Sequence, residues 1–234
     1  TGNPKPRVFR LEEDDALINR LGFNNIGSDE SKKNIESNLP SGLLGINIGP
    51  NKDSENRVDD YLSCFRKFHN LADYIAINIS SPNTENLRSF HNNDELNNLL
   101  KQINIEKKKL SSNVPIAVKI SPDIDEKSID LISEIFLKQD IKIAIISNTT
   151  DRNREDVHNV NKLEKGGLSG KPLEDLSTNL IGKFFKSFQN KILIIGVGGV
   201  DSAEGVFNKI ANGATLVQLY TGMVYKGPTI ASKI

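Results

Sequence analysis

Short, continuous apolar runs recur along the chain: Leu43–Ile48, Tyr74–Ile79, Pro115–Ile120, Ile143–Ser147, Ile192–Val197 and Thr215–Tyr220. Each is rich in β-branched residues, about strand length and not cleanly alternating, as a parallel strand buried on both faces would be. Between them, Asp59–Phe68, Asp94–Leu110, Ser128–Lys138, Asp175–Phe188 and Ala203–Ala211 carry apolar residues at three- and four-residue intervals, which predicts helices. Asn93 and Ser202 are placed to cap two of them. The order is a repeated β-α unit, hence an α/β fold with a parallel sheet and right-handed crossovers.

An open doubly wound sheet and a (β/α)8 TIM barrel both fit that order. Asn47, Asn78, Ser80, Lys119, Asn148, Gly198 and Tyr220 lie at or just beyond the C-terminal ends of successive apolar runs. Polar groups supplied by many strands point to the mouth of a barrel, whereas an open sheet gathers them at one switch point. The barrel is favoured, with about six of its eight units in view. Residues 1–42 offer only Arg7–Leu11 and a short helix-like stretch, Asp14–Asn19. Residues 1–234 are therefore expected to form a single barrel domain, incomplete at its N-terminus, within a longer natural protein.

Composition narrows the class. The 234 residues carry 30 basic and 30 acidic side chains, and this neutral balance without a basic block gives no reason to expect a nucleic-acid partner. No apolar run reaches the roughly 18–20 residues of a membrane span, and the start has no signal-peptide pattern. The single Cys64 excludes a disulfide framework. His69, His91 and His158 share no metal-ligand spacing with one another or with Cys64, so no metal is expected.

Five polar stretches could carry chemistry. In Asn78–Thr84, alternation puts Asn78 and Ser80 on one face of a strand end, and a polar loop then runs to about Asn92, long enough for an active-site lid. An ordinary strand-terminating turn explains the same residues. Lys119 interrupts an apolar run, where an ammonium is costly unless paired. It could neutralise an anionic cofactor or substrate, or pair with Asp123; spacing does not separate the two. Ser147–Thr150 offers neutral donors and acceptors suited to a small heterocycle, or again a turn. Gly166–Lys171 is superficially similar to a nucleotide P-loop. Lys165 stands at its first glycine position, though, and Pro172 at its Ser/Thr position, which excludes the motif. Gly196–Val200, together with Tyr220-Thr221 after the last run, can turn bare backbone N–H groups towards a phosphate, as barrels do after their seventh and eighth strands.

These segments together resemble the dihydroorotate dehydrogenases, and most closely their quinone-dependent, membrane-associated class. The likeness is carried by INISSPNT (77–84), AVKISPD (117–123), SNTT (147–150), GGLSGKPL (166–173), IGVGGV (195–200) and LVQLYTG (216–222). INRLGFNN (18–25) and LGINIGPNKD (44–53) extend it over essentially the whole chain. The resemblance implies FMN as cofactor, dihydroorotate as substrate, a quinone as acceptor and a place in pyrimidine (UMP) synthesis. By it, Ser81 is the base that removes the C5 proton; related cytosolic-type enzymes carry Cys there. Asn19, Arg20, Leu21, Gly22, Phe23, Asn78, Asn83, Asn148 and Thr149 correspond to the substrate-binding set. Asn47, Asn78, Lys119, Ser147, Gly170, Gly199, Tyr220 and Thr221 correspond to the FMN-binding set, Lys119 lying beside the N1–O2 edge of the flavin.

Ser147 stands where the family usually has Thr, and Pro50 where it usually has Lys. The family also carries, upstream, a helical pair for quinone and membrane contact and two further β-α units. Peripheral attachment to a membrane is therefore expected through a segment preceding Thr1. The cytoplasmic side of a bacterial inner membrane is the favoured location, with the mitochondrial inner membrane as the alternative. A non-catalytic relic that keeps the pyrimidine and phosphate pockets is the competing reading of function. Retention of Ser81, Lys119 and the amides speaks for the enzyme, since a relic has no need of a base.

Overall fold

The computed structural model describes residues 2–83, 93–152 and 154–234. Thr84, His91 and the rest of the loop read as a lid lie outside the described residues. The six apolar runs form β3 (Gly45–Ile48), β4 (Tyr74–Asn78), β5 (Ile116–Ile120), β6 (Ile143–Ile146), β8 (Leu193–Val197) and β9 (Leu216–Gln218). They pair as one parallel sheet in the order β3-β4-β5-β6-β8-β9. Chain order equals spatial order throughout, as in a barrel and unlike an open sheet that winds outward from its middle. The sheet curls: Tyr74 on β4 and Gln218 on β9, strands that are not neighbours, meet across the concave face at 3.2 Å.

Helices α2 (Arg57–Phe68), α3 (Asn93–Lys109), α4 (Glu126–Lys138), α5 (Glu174–Phe188) and α6 (Ala203–Ala211) cover the convex face. Their apolar stripes supply Tyr61, Phe65, Leu99, Ile103, Phe136, Phe184 and Phe188 to the main core. Asn56, Asp125 and Ser202 cap α2, α4 and α6, each accepting from a backbone N–H three residues on. Asn93, expected as a cap, is instead the first residue of α3.

Two corrections concern the first forty residues. Asp14–Asn19 is not a helix: Asp14 ends a single 3-10 turn, Glu12–Asp14, and Ala16–Asn19 is a strand, β2, which pairs antiparallel with β1 (Val8–Leu11) and with β7 (Gly167–Gly170). A helix, α1 (Ser28–Ser37), also precedes β3, although none of its residues is fully buried. The three-stranded sheet β1-β2-β7 has its own small core of Leu11, Ala16, Ile18, Val157 and Leu168. The Thr150–Leu168 bridge fastens it to the C-terminal end of β6.

Candidate active site

The period of two along each strand divides the parallel sheet into faces. Ala76, Ala117, Ile145 and Ile195 form a small separate cluster on the concave side, while the main core lies on the other. Asn78 and Lys119 lie two residues beyond Ala76 and Ala117 and are register partners; Asn47 is opposite Ala76. The same alternation that buries the floor therefore points Asn47, Asn78 and Lys119 into the concave side. Asn47, on the edge strand β3, is exposed there.

A cleft opens at the C-terminal ends of these strands and is walled on the far side by β7 and α7 (Thr221–Lys226). Asn19, Lys119, Ser147, Asn148, Thr149, Gly170, Gly199, Tyr220 and Thr221 line it, so the hairpin, four strand ends and two glycine turns converge on one space. Beside it the amides form a network. Asn148 Nδ2 donates to Ser80 Oγ at 2.9 Å and lies 3.4 Å from Asn78 Oδ1, which accepts from Ser80 N at 3.2 Å. Tyr61 donates its hydroxyl to Asn78 O at 2.7 Å, anchoring the strand end from the core side. Asn83 Nδ2 donates to Asn19 O at 3.0 Å, and Asn19 Nδ2 reaches Gly167 O at 3.4 Å. Gly167 joins the two groups, because a Cβ there would lie 1.9 Å from Thr149 Oγ1 and 3.0 Å from Pro82 Cγ.

Ser81 is buried at 9% exposure, and its Oγ accepts from Asn83 N at 3.3 Å. No carboxylate or imidazole is bonded to it among the described residues. Burial disfavours the charged form, while a donor aimed at the oxygen favours it. Lys119 has no hydrogen-bond or ion-pair partner among the described residues, and burial pulls its pKa below the ordinary lysine value. Asp123, the carboxylate considered for it, accepts instead from Thr150 Oγ1 and from Asp151 N. The ion-pair reading of Lys119 is thereby set aside.

The phosphate-side residues gather at the other end. Gly170, Gly198 and Gly199 have φ of 98°, 124° and 73°, and a Cβ at Gly199 would lie 2.5 Å from Glu174 Cβ. Thr221 donates its hydroxyl to Ser169 Oγ at 2.9 Å. The Gly199, Tyr220 and Thr221 N–H groups have no acceptor among the described residues.

The segment 20–23 is placed differently. Arg20 pairs with Glu164 at 2.7 Å and stacks over Phe9 at 4.5 Å, away from the cleft. Leu21 O accepts from Asn3 N, and Gly22 has φ 66°. Phe23, with φ 54°, packs on the main core beside Gly49. Asp15, Ser169, Lys171 and Tyr225 also line the cleft, none of them with a role assigned from sequence. Asp15, Ser169 and Lys171 come with the hairpin and β7, so they could have been found only by recognising that pairing.

A curled parallel β/α sheet with a polar cleft at the C-terminal ends of its strands defines a barrel of the ligand-binding, catalytic kind. The family model for dihydroorotate dehydrogenase matches residues 1–234. The dihydroorotate dehydrogenase (quinone) of Idiomarina loihiensis is 45% identical over 239 residues, covering 100% of this chain and 71% of that protein. Its counterpart in Nitrosomonas europaea is 43% identical, covering 99% and 70%. Among solved structures, ligand-free DHODH from Eimeria tenella superposes with a TM-score of 0.94 at 35% identity, covering 99% of this chain and 71% of that one. The same enzyme in complex with ferulenol gives 0.91 at 34% identity, covering 99% and 68%. The chain belongs to the dihydroorotate dehydrogenase family and is an oxidoreductase of TIM-barrel type. Among the described residues no helix is long and apolar enough to cross a membrane.

Proposed function

We propose that this protein oxidises dihydroorotate to orotate in pyrimidine synthesis, with FMN as cofactor and a quinone as electron acceptor. The observation that carries the reading is Lys119, a cation without a partner among the described residues, on the wall of a cleft that also gathers neutral amides and bare N–H groups. A half-buried ammonium without a partner in that position is unfavourable until an electron-rich group lies against it. Membrane attachment belongs to the same proposal and rests on the quinone, a lipid-soluble acceptor.

The residues present fit FMN. Gly170, Gly199, Tyr220 and Thr221 would take its phosphate: the N–H groups of the last three have no acceptor among the described residues, and the close-packed backbone at Gly170 and Gly199 leaves no room for a side chain. Lys119 and Ser147 would face the ring, and Asn47 and Asn78 its neighbouring edge. Bound there, FMN would supply a hydride acceptor for C6 of the substrate and a relay of electrons to the quinone. The chain itself supplies orientation and the proton path. Asn19, Asn78, Asn83, Asn148 and Thr149 present neutral donors and acceptors to the carbonyl and N–H groups of the pyrimidine ring. They fix which face it shows. Phe23 would lie near the base, and Arg20–Gly22 would hold that segment. Ser81 Oγ takes the C5 proton as its own hydroxyl proton passes on to solvent; the Asn83 N–H directed at that oxygen stabilises the alkoxide character Oγ has while its proton leaves.

The purified protein is expected to carry a flavin and to reduce a quinone when given dihydroorotate. A flavin-free protein without that activity would withdraw the proposal in favour of a binding relic. Gly199→Ala is expected to lose FMN. Its φ of 73° and the 2.5 Å approach to Glu174 Cβ force the loop off α5, at about 1–3 kcal/mol of backbone strain alone. Flavin content after gel filtration checks this, and a fully loaded variant would remove Gly199 from the phosphate site.

A further inference from the structure

Lys209 on α6 is fully buried and is not among the residues lining the cleft. Its ammonium donates to Ser177 Oγ at 2.5 Å and Thr178 Oγ1 at 3.0 Å, with Glu174 O at 3.5 Å. All three acceptors are neutral, because the Glu174 carboxylate pairs with Lys171 at 2.5 Å instead. Burial brings the Lys209 pKa down to about 8 against the pull of Glu174 and Asp175. A site that required only packing would be filled at lower cost by an apolar side chain of that length.

What the ammonium does is set the direction of a neighbouring proton. Ser177 Oγ lies 3.2 Å from both Glu174 O and Gly198 O. Glu174 O is already taken by the Thr178 hydroxyl at 2.8 Å and by Lys209. An ammonium can only donate, so Ser177 accepts from it and keeps its own proton for Gly198 O. Gly198 C=O and Gly199 N–H belong to one planar peptide unit and point in opposite directions. Tying the carbonyl to α5 therefore turns the N–H away from α5, and Gly199 lines the cleft.

We propose that Lys209 is a positioning residue which, through Ser177, locks the Gly198–Gly199 peptide so that its N–H serves as a donor to the phosphate of FMN. The inference rests on the FMN reading above and assigns Lys209 and Ser177 to one part of the cofactor only. Riboflavin, which has the ring system without the phosphate, separates that role from general support of the fold.

The test titrates the flavin-free protein with FMN and with riboflavin, following flavin fluorescence, for the unmutated chain, Lys209→Met, Ser177→Ala and Thr178→Val. Lys209→Met and Ser177→Ala are expected to weaken FMN binding about tenfold while riboflavin changes by less than about twofold. Thr178→Val removes a Lys209 contact that does not lead to Gly198, and both affinities should hold. Ser177→Ala keeps the buried lysine on its two other acceptors, so it reads the link to Gly198 even where Lys209→Met folds poorly. Equal weakening of both flavins, or an unchanged FMN affinity in Ser177→Ala, overturns the inference while the FMN reading stands. An unmutated protein that binds neither flavin overturns both.

Discussion

Ser81→Ala is expected to lower turnover of dihydroorotate by about 10²–10⁴-fold, the range of one positioned general base, while the protein keeps its flavin and its affinity for orotate. The expectation follows from where the hydroxyl sits. Ser81 is buried, lies three residues beyond Asn78 at the end of β4, and accepts from Asn83 N at 3.3 Å. A hydroxyl at its ordinary pKa is a weak base, so the rate has to come from proximity and from stabilising charge on Oγ. Removing Oγ deletes the acceptor of the C5 proton but leaves Asn78, Ser80 and Asn148 bonded to one another, because none of their contacts passes through Ser81. Stopped-flow reduction of the bound flavin by dihydroorotate, beside orotate titration, separates chemistry from binding. If reduction proceeds at the unmutated rate, Ser81 is not the base. If orotate binding falls with it, Ser81 holds the substrate rather than deprotonating it.

The parts of this site that could be read from sequence are those carried by local pattern. A parallel strand buried on both faces announces itself as a continuous β-branched run, so all six strands of the main sheet were visible, and strand-end polar residues fall on a face by counting in twos. Lys119 stood out because a charge in such a run needs a reason. The hairpin did not, because β2 is a four-residue strand whose partner β7 lies about 150 positions away, and Asp14–Asn19 by itself reads as a helical turn. β7 was equally hidden: Gly-Leu-Ser-Gly looks like a loop. Its glycines are a packing requirement, since a Cβ at Gly170 would lie 2.3 Å from Asp15 O and one at Gly167 would meet Thr149. Helix α1 has one apolar residue, Ile35, in ten, too few for any periodicity to show. Arg20 sits in a segment that resembles the substrate-binding stretch of the family. Its side chain is nonetheless held by Glu164, 144 positions away, and by Phe9 on the other strand of the hairpin.

Lys119→Met is expected to act in opposite directions on the empty and the loaded protein. The substitution keeps the length and apolar stem of the side chain and removes a charge that has no partner among the described residues. In the flavin-free protein this should raise stability. Burial holds the Lys119 pKa below the ordinary lysine value of 10.5, so near and below that value the unfolded chain binds more protons than the folded one. Stability therefore climbs as pH rises towards 10.5 and falls as pH drops, and Lys119→Met should flatten that part of the profile. In the loaded protein the sign reverses. An electron-rich ring edge against the ammonium offsets its desolvation, and the mutant loses that interaction; FMN should bind at least tenfold more weakly, the loss of roughly 1.4 kcal/mol or more. Towards high pH, where the depressed lysine is partly neutral, binding should also draw a proton from solution in the unmutated protein, because a negative neighbour lifts the lysine pKa back up. Thermal melts of the flavin-free forms across pH, with calorimetric FMN titrations in buffers of different ionisation enthalpy, read all three effects. A Lys119→Met protein that is no more stable when empty, or that binds FMN as tightly without proton uptake in the parent, would mean that this lysine is satisfied by something other than the cofactor.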